Sequence, residues 1–209
     1  MLKAHRTAST FALMNFLAHA RLSFNEPEIL VGNMISDFVK GKKKFDYPKK
    51  ILQGIVLHRE IDQYTDSHEA TKQAKSYFKA DYGLYAGAFV DVVYDHFLAH
   101  DEHEFKNDHE LASFAQQTYA ELMPYMGVVP ERFQVMFGYM RKQNWLYNYR
   151  LREGINNSFA GLVRRAVYMD DHASAMTSFD NHYLDLKNCY SFFFPEVKQF
   201  AHRQLQNTK

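Results

Sequence analysis

The chain has 209 residues, which suits one domain, and its hydrophobic fraction of 46% is enough to bury a continuous core. The 18 Phe and 14 Tyr exclude an intrinsically disordered chain, because disordered segments are poor in aromatic residues. A single Cys excludes a disulfide framework and a Cys-rich zinc module. The formal net charge of +1 predicts neither nucleic-acid nor membrane-surface binding. No apolar run approaches the roughly 20 residues that span a bilayer.

The N-terminal segment only superficially resembles a signal peptide. Basic groups precede a fairly apolar stretch over residues 11–20, but Asn15 and His19 interrupt that stretch. No convincing small-residue cleavage site follows it. We therefore expect a cytoplasmic protein that has no membrane and no nucleic acid as a partner.

Helical periodicity runs along nearly the whole chain. In chain order, the spacing predicts helices near residues 29–40, 48–66, 67–83, 85–100, 110–123, 130–149, 151–167, 173–194 and 195–206. All five prolines fall at predicted helix starts or junctions, including Pro195. Alternating strand patterns and Asn-Gly or Asp-Gly hairpin signals are missing. The prediction is an all-α fold, a single compact domain of about eight to ten helices.

Titratable side chains recur at helical spacing on two apolar segments. His58, Asp62 and Asp66 are each four residues apart, and so are Asp91 and Asp95. Residues four apart project from one helix face, so each pair can bind one cation. Imidazole and carboxylate ligands without thiolate favour Mn²⁺ or Mg²⁺, and also suit Fe²⁺ or Zn²⁺. The alternative is that individual His residues are hydrogen-bonded core residues and that the Asp residues cap helices or form ion pairs.

Four ordered sequence blocks resemble the acyl carrier protein phosphodiesterase family. They are Met14-Asn15-Phe16-Leu17-Ala18-His19, then Gly32-Asn33 with Asp37-Phe38-Val39-Lys40-Gly41, then Gly54 with His58-Arg59, Ile61-Asp62 and Thr65-Asp66, and finally Asp91 with Tyr94-Asp95-His96-Phe97-Leu98. The resemblance is dense to about residue 100 and thin from there to residue 170. Because it begins at Met14, we expect residues 1–13 to be an N-terminal extension and residues 14–209 to form one helical domain.

The resemblance implies a fold related in divergent form to the HD-type metal-dependent phosphohydrolases. It also implies hydrolysis of the phosphodiester that joins 4′-phosphopantetheine to a serine of holo-acyl carrier protein, with Mn²⁺ as the favoured cation. The matching blocks lack the His-Asp dipeptide that gives HD enzymes their name, since His58 is followed by Arg59, and Asp95 by His96.

No single motif defines the metal ligands, so we consider a pool of candidate residues. The pool is His19, Asp37, His58, Asp62, Asp91 and Asp95, with His96 in reserve. Asp62 or Asp66 is expected to orient the attacking water. Arg59 is expected to stabilise phosphoryl charge or, alternatively, to form a structural salt bridge. Asn15 is expected to donate a hydrogen bond near the substrate or a ligand.

A basic segment directly follows Asp37. Its cations are Lys40, Lys42, Lys43, Lys44, Lys49 and Lys50, opposed only by Asp46. Such a segment predicts a contact surface for an acidic carrier protein, with Lys40 and Lys42–Lys44 as the expected binding residues. The alternative is a solvated loop.

Two further functions stay open from the sequence. The first is an HD-type phosphohydrolase of a small nucleotide or phosphoester, which shares the metal site without needing the lysines. The second is a non-catalytic helical module that binds an acidic partner.

Overall fold

The computed structural model describes residues 16–166, 169 and 171–207, and these residues contain helices and no strand. The α-helices are α1 (Phe16–Arg21), α2 (Pro27–Ile35), α3 (Lys49–Ser67), α4 (Glu69–Tyr82), α5 (Ala86–Ala99), α6 (Asp108–Leu122), α7 (Glu131–Lys142), α8 (Trp145–Asn148), α9 (Arg152–Arg165), α10 (Ala173–Asn181) and α11 (Tyr183–Asn207). Short 3-10 helices span Ser36–Phe38, Gly41–Asp46, Gly83–Tyr85 and Met123–Tyr125. The all-α prediction is confirmed. No helix in the described ranges is both long and apolar enough to cross a membrane.

Two predicted boundaries differ from the structure. The segment predicted as one helix over 130–149 divides into α7 and α8, because Asn144 takes the left-handed conformation with φ of 49°. Pro195 lies inside α11 instead of starting a new helix. Its neighbours Phe194 and Val197 are only 2% and 1% exposed, so tertiary packing keeps the helix continuous despite the missing N–H group. The division into α7 and α8 and the short helix α1, which is not among the predicted ranges, bring the described helix count to eleven, above the eight to ten expected.

Helix α5 lies at the centre of the fold. Every residue of α5 except Gly87 is buried, and the helix packs against α1, α4, α9 and α11. A helix that is apolar on all sides is stable only when it is enclosed in this way. The polar side chains that α5 carries must therefore find their partners inside the protein.

Two glycines allow α2 and α3 to pack at backbone distance. A Cβ atom at Gly32 would lie 2.0 Å from the carbonyl oxygen of Ile51, and one at Gly54 would lie 2.3 Å from the carbonyl oxygen of Ile29. Any larger residue at either position would push the helices apart. The polar residues that follow these glycines on α2 and α3 are consequently held in one region.

Candidate metal centre

Two imidazole rings and one carboxylate meet between α1 and α3. His19 Nε2 lies 3.3 Å from Asp62 Oδ1, and His58 Nε2 lies 3.2 Å from Asp62 Oδ2. The two rings are stacked, with centroids 3.9 Å apart. Both His residues are buried, and the Asp62 side chain is 26% exposed. One ligand atom from each residue lies within 4.8 Å of the others, so the three side chains offer a compact donor set.

Asp37 lies at the edge of this group. It belongs to the 3-10 helix Ser36–Phe38, and its Oδ1 atom is 3.4 Å from His58 Nε2. We refer to His19, Asp37, His58 and Asp62 as the His–Asp cluster. Four residues of the predicted ligand pool, from three separate segments, thus lie together in the structure.

The two buried Nε2 atoms suit a cation. His19 Nε2 and His58 Nε2 are within ion-pair distance of carboxylates but form no well-aligned hydrogen bond in the described part of the chain. Metal–ligand bonds of about 2.1 Å place neighbouring ligand atoms roughly 3.0 to 3.4 Å apart in octahedral or tetrahedral coordination. The three nitrogen–oxygen separations of 3.2 to 3.4 Å match that range. The donor set therefore fits a divalent metal ion.

Asn33 fixes the orientation of the His19 ring. The Nδ1 atom of His19 lies 2.7 Å from the side-chain oxygen of Asn33, which can only accept, so Nδ1 carries the proton. The Asn33 amide donates in turn to the carbonyl oxygen of His19 and to Ser23 Oγ. His19 Nε2 is thereby left with its lone pair directed towards Asp62, the arrangement that a metal-binding His needs. This role of Asn33 was not among the predictions from the sequence, although a polar residue on the apolar helix α2 was a signal for it.

The electrostatics of the cluster favour positive charge at its centre. Burial lowers the pKa of His19, and the neighbouring His58 ring lowers it further. Burial also opposes charge on His58, but Asp62 and Asp37 outweigh it and raise the His58 pKa. Burial alone would raise the pKa of Asp62, yet the two imidazoles lower it. Asp62 is thus held as a carboxylate facing two imidazoles, which attracts a cation.

Asp91 faces the same region from α5 without joining the three-residue donor set. It is 6% exposed and has no hydrogen bond within the described ranges. Its pKa is raised well above the ordinary value, first by burial and then by the carboxylates of Asp62 and Asp66. Asp91 is therefore a buried carboxyl group close to the cluster, where burial opposes its charge and a nearby cation would favour it.

Asp95 caps α1 and is not brought into the cluster. Its two carboxylate oxygens accept hydrogen bonds from the backbone N–H groups of Leu17 and Ala18, at 3.0 and 2.8 Å. The N–H group of Phe16 donates to the phenol of Tyr149. These contacts satisfy the first N–H groups of α1, which otherwise lack partners. Asp95 thus holds the helix that carries His19.

His96 also lies apart from the cluster, on α5 and facing α10 and α11. Its Nδ1 atom donates to the carbonyl oxygen of Tyr149 at 2.8 Å, so Nε2 accepts from the hydroxyl of Tyr183 at 3.1 Å. Burial lowers the pKa of His96 to about 4. Both ring nitrogens are occupied, and His96 has no lone pair left for a metal.

The predicted catalytic helpers lie near the cluster but have structural partners. Arg59 donates from Nη2 to the carbonyl oxygen of Val39, 2.8 Å away, which ties α3 to the chain after Asp37. Asp66 is exposed and forms an ion pair with Lys75 at 2.6 Å. The chain does contain an adjacent His-Asp pair, His100-Asp101. The Nε2 atom of His100 donates to the carbonyl oxygen of Arg150 at 2.8 Å, and its ring neighbour is His96, which lies apart from the cluster.

The basic segment lies on the surface directly after Asp37. Lys40, Lys42 and Lys43 are exposed, whereas Lys44 is partly covered and lies 5.1 Å from the ring of Phe45. That ring is itself 64% exposed. Asn15 and the expected extension over residues 1–13 lie outside the described residues.

The fold and the cluster place this chain among all-helical proteins with buried imidazole and carboxylate groups that fit a divalent metal ion. The chain belongs to the acyl carrier protein phosphodiesterase family, whose model matches residues 14–197. It is 32% identical over 193 residues to an acyl carrier protein phosphodiesterase of Yersinia pestis, covering 92% of this chain and 100% of the relative. A relative of the same name from Klebsiella pneumoniae strain 342 is 31% identical over 90% of this chain and 97% of its own. No solved structure matches the chain significantly.

Proposed function

We propose that this protein is a metal-dependent phosphodiesterase that hydrolyses the bond between 4′-phosphopantetheine and a serine of holo-acyl carrier protein. The products are apo-acyl carrier protein and free 4′-phosphopantetheine. The observation that carries the proposal is the pair of buried Nε2 atoms that face one carboxylate, in a chain that its family model spans almost completely. No observation specifically supports a small nucleotide or phosphoester as the substrate. Membership of the family favours acyl carrier protein as the substrate.

His19, His58 and Asp62 would hold the cation, with Asp37 beside His58 and Asp91 as a further carboxyl group near them. Mn²⁺ is our first choice, with Mg²⁺ or Fe²⁺ next, because the donors are nitrogen and carboxylate oxygen without thiolate. When bound, such an ion supplies a Lewis acid for the phosphoryl group and a source of hydroxide near neutral pH. Kinship with the HD-type phosphohydrolases remains part of the proposal.

The protein's own groups would then bind and orient the reactants. Asn33 holds the ring of His19 in one tautomer, so the donor atom is in place before substrate arrives. Asp62, partly exposed, can accept a hydrogen bond from the attacking water and so orient it. Arg59 uses one nitrogen for Val39, and its remaining N–H groups are available for phosphoryl oxygens.

The exposed lysines after Asp37 are proposed to bind the acidic carrier protein. Their position in the chain places positive charge beside the cluster, where it would steer an acidic partner. We propose that the reaction takes place in the cytoplasm and that one helical domain, residues 14–209, carries it out.

The direct test is incubation of the protein with holo-acyl carrier protein and Mn²⁺, followed by intact-mass measurement of the carrier. We expect loss of the prosthetic arm, and no loss in EDTA. An intact holo-carrier after long incubation, with Mn²⁺ bound to the enzyme, would contradict the proposal.

The lysine surface has a separate test. The double variant Lys42→Glu, Lys43→Glu is expected to raise KM at low salt, an effect that screening weakens as salt increases. The matched control reverses two exposed lysines elsewhere, Lys79→Glu and Lys187→Glu. Equal KM values for the two double variants would remove the surface from the proposal.

A further inference from the structure

A cavity of about 510 Å³ lies between α5, α8 and α9. Val92 and Leu162 give it apolar walls, and the rings of Trp145 and Tyr149 contribute aromatic ones. On the α9 side the cavity is lined by small residues, Gly154, Ser158 and Gly161, which leave its space open. The cavity thus has the size and the mixed lining typical of a small-molecule site.

Three primary amides are among the hydrogen-bonding groups of this cavity. Gln143, Asn148 and Asn157 all line it. The side chain of Asn157 forms no hydrogen bond with any residue that the structure describes. A primary amide both donates and accepts, so it recognises another amide better than it recognises a charged group. The lining therefore favours a chain that alternates hydrocarbon with amides.

Helices α1 and α5 each carry residues next to the cavity and residues in or beside the His–Asp cluster. On α1, the Phe16 ring lies 6.5 Å from that of Trp145, and His19 follows only about 4.5 Å further along the helix axis. On α5, Val92 lines the cavity and the preceding residue, Asp91, faces Asp62. A flexible ligand that starts at the cluster is thus within reach of the cavity.

The rim of the cavity is positively charged. A Cβ atom at Gly161 would lie 3.8 Å from Arg164 Nη2 and 3.9 Å from Arg165 Nη2, so both guanidinium groups turn towards one point. Neither forms an ion pair with a carboxylate of the described residues. Two like charges beside the opening attract an anionic substrate to it.

We propose that this cavity holds the pantetheine arm of the carrier-protein substrate, an inference that rests on the proposed function. The arm's two amides contact the side chains of Asn157 and its neighbours, and its hydrocarbon packs against Trp145 and Leu162. The phosphodiester end remains at the cluster. Arg164 and Arg165 draw the anionic substrate to the opening.

Trp145 provides a direct test because it is the only tryptophan of the sequence and lines the cavity. The probe is pantetheine, which lacks the phosphate, titrated in EDTA so that binding does not depend on a metal. Gly161→Leu fills the cavity from a helical position with room for a side chain. Gly138→Leu is the matched control, since Gly138 is an exposed helical glycine with open space around it.

We expect pantetheine to change Trp145 fluorescence saturably in the wild type and in Gly138→Leu. In Gly161→Leu the affinity should be at least about tenfold lower, because a side chain occupies the ligand's space. Asn157→Ala, an exposed substitution that leaves the fold intact, should weaken binding about threefold to tenfold. A non-saturable response, or equal affinity in Gly161→Leu and Gly138→Leu, would overturn the inference.

Turnover of holo-acyl carrier protein separates the two proposals. If Gly161→Leu keeps the wild-type kcat/KM, the cavity is not the arm site although the proposed function holds. If the wild type itself leaves the carrier intact, the proposed function fails, whereas the fluorescence titration still decides whether the cavity binds pantetheine.

Discussion

The His–Asp cluster and the polar residues of α5 consist of the same residue types at the same helical spacing, yet the protein uses them differently. In the cluster, two buried Nε2 atoms have no hydrogen bond to any described residue and face one carboxylate. In α5, Asp95 accepts two backbone N–H groups, and both ring nitrogens of His96 are occupied. Unused lone pairs, more than residue type or spacing, distinguish a metal centre from structural polar groups.

Removing a cluster ligand should have the largest effect. His58→Ala and Asp62→Asn each take a donor from the set, so we expect bound Mn²⁺ to be lost and kcat/KM on holo-acyl carrier protein to fall about thousandfold or more. Metal analysis of the purified variants and intact-mass assays measure both quantities. The matched control, His96→Asn on α5, should retain its metal and most of its activity. Equal losses in His96→Asn and His58→Ala would abolish the distinction between the two regions.

His96 should instead govern stability in acid. Its pKa of about 4 in the folded protein lies below the ordinary value near 6.5, so the unfolded chain binds the proton more readily. The free energy of unfolding should therefore decrease by about 3 kcal/mol from this group as pH falls from 6.5 to 4. Asn does not titrate in this range. Denaturant unfolding should therefore show that the difference in free energy of unfolding between the wild type and His96→Asn becomes smaller as pH falls from 6.5 to 4. A difference that stays constant with pH would refute this role.

Asn33 should affect metal affinity in the His–Asp cluster, because it orients the ring of His19. Asn33→Leu removes the acceptor that holds the His19 ring, and we expect a 10-fold to 100-fold loss of Mn²⁺ affinity, roughly the effect of losing a residue that orients a ligand. Ser23→Ala is the control, since Ser23 donates to the His19 carbonyl oxygen and does not touch the ring. Calorimetric titration with Mn²⁺ compares them. Similar affinities in the two variants would show that ring orientation does not depend on Asn33.

Asp95→Asn should have the smallest effect on metal binding. Asn keeps an oxygen acceptor for one of the two N–H groups of α1 and loses the acceptor for the other, so we expect a loss of about 1 to 3 kcal/mol in the free energy of unfolding. Mn²⁺ affinity should stay within about threefold of the wild-type value, as expected for a residue that caps a helix without touching the metal. A large loss of affinity at unchanged stability would move Asp95 into the metal centre.

The sequence was sufficient for the fold class and for part of the site. Apolar periodicity and missing hairpin signals predicted an all-α protein, and the four-residue spacing predicted that His58 and Asp62 share a helix face. The spacing did not reveal the direction of that face, because direction depends on tertiary packing. Asp95 and His96 were therefore indistinguishable from ligands until their partners, Leu17 and Tyr149 among them, were visible.

Other features depended on contacts that are remote in sequence. Pro195 is a typical helix start, yet buried neighbours keep α11 continuous through it. Asn33 lies 14 residues after His19, and only the close packing of α2 and α3 at Gly32 and Gly54 shows why a polar residue is needed there. Local propensity carries no information of this kind.

The most direct test of the account is a crystal structure of the protein grown with Mn²⁺, with the ion located by its anomalous scattering. We expect a peak bound by His19 Nε2, His58 Nε2 and a carboxylate oxygen of Asp62. A peak coordinated by Asp95 or His96, or a cluster without any peak in crystals of protein that turns over holo-acyl carrier protein, would contradict it.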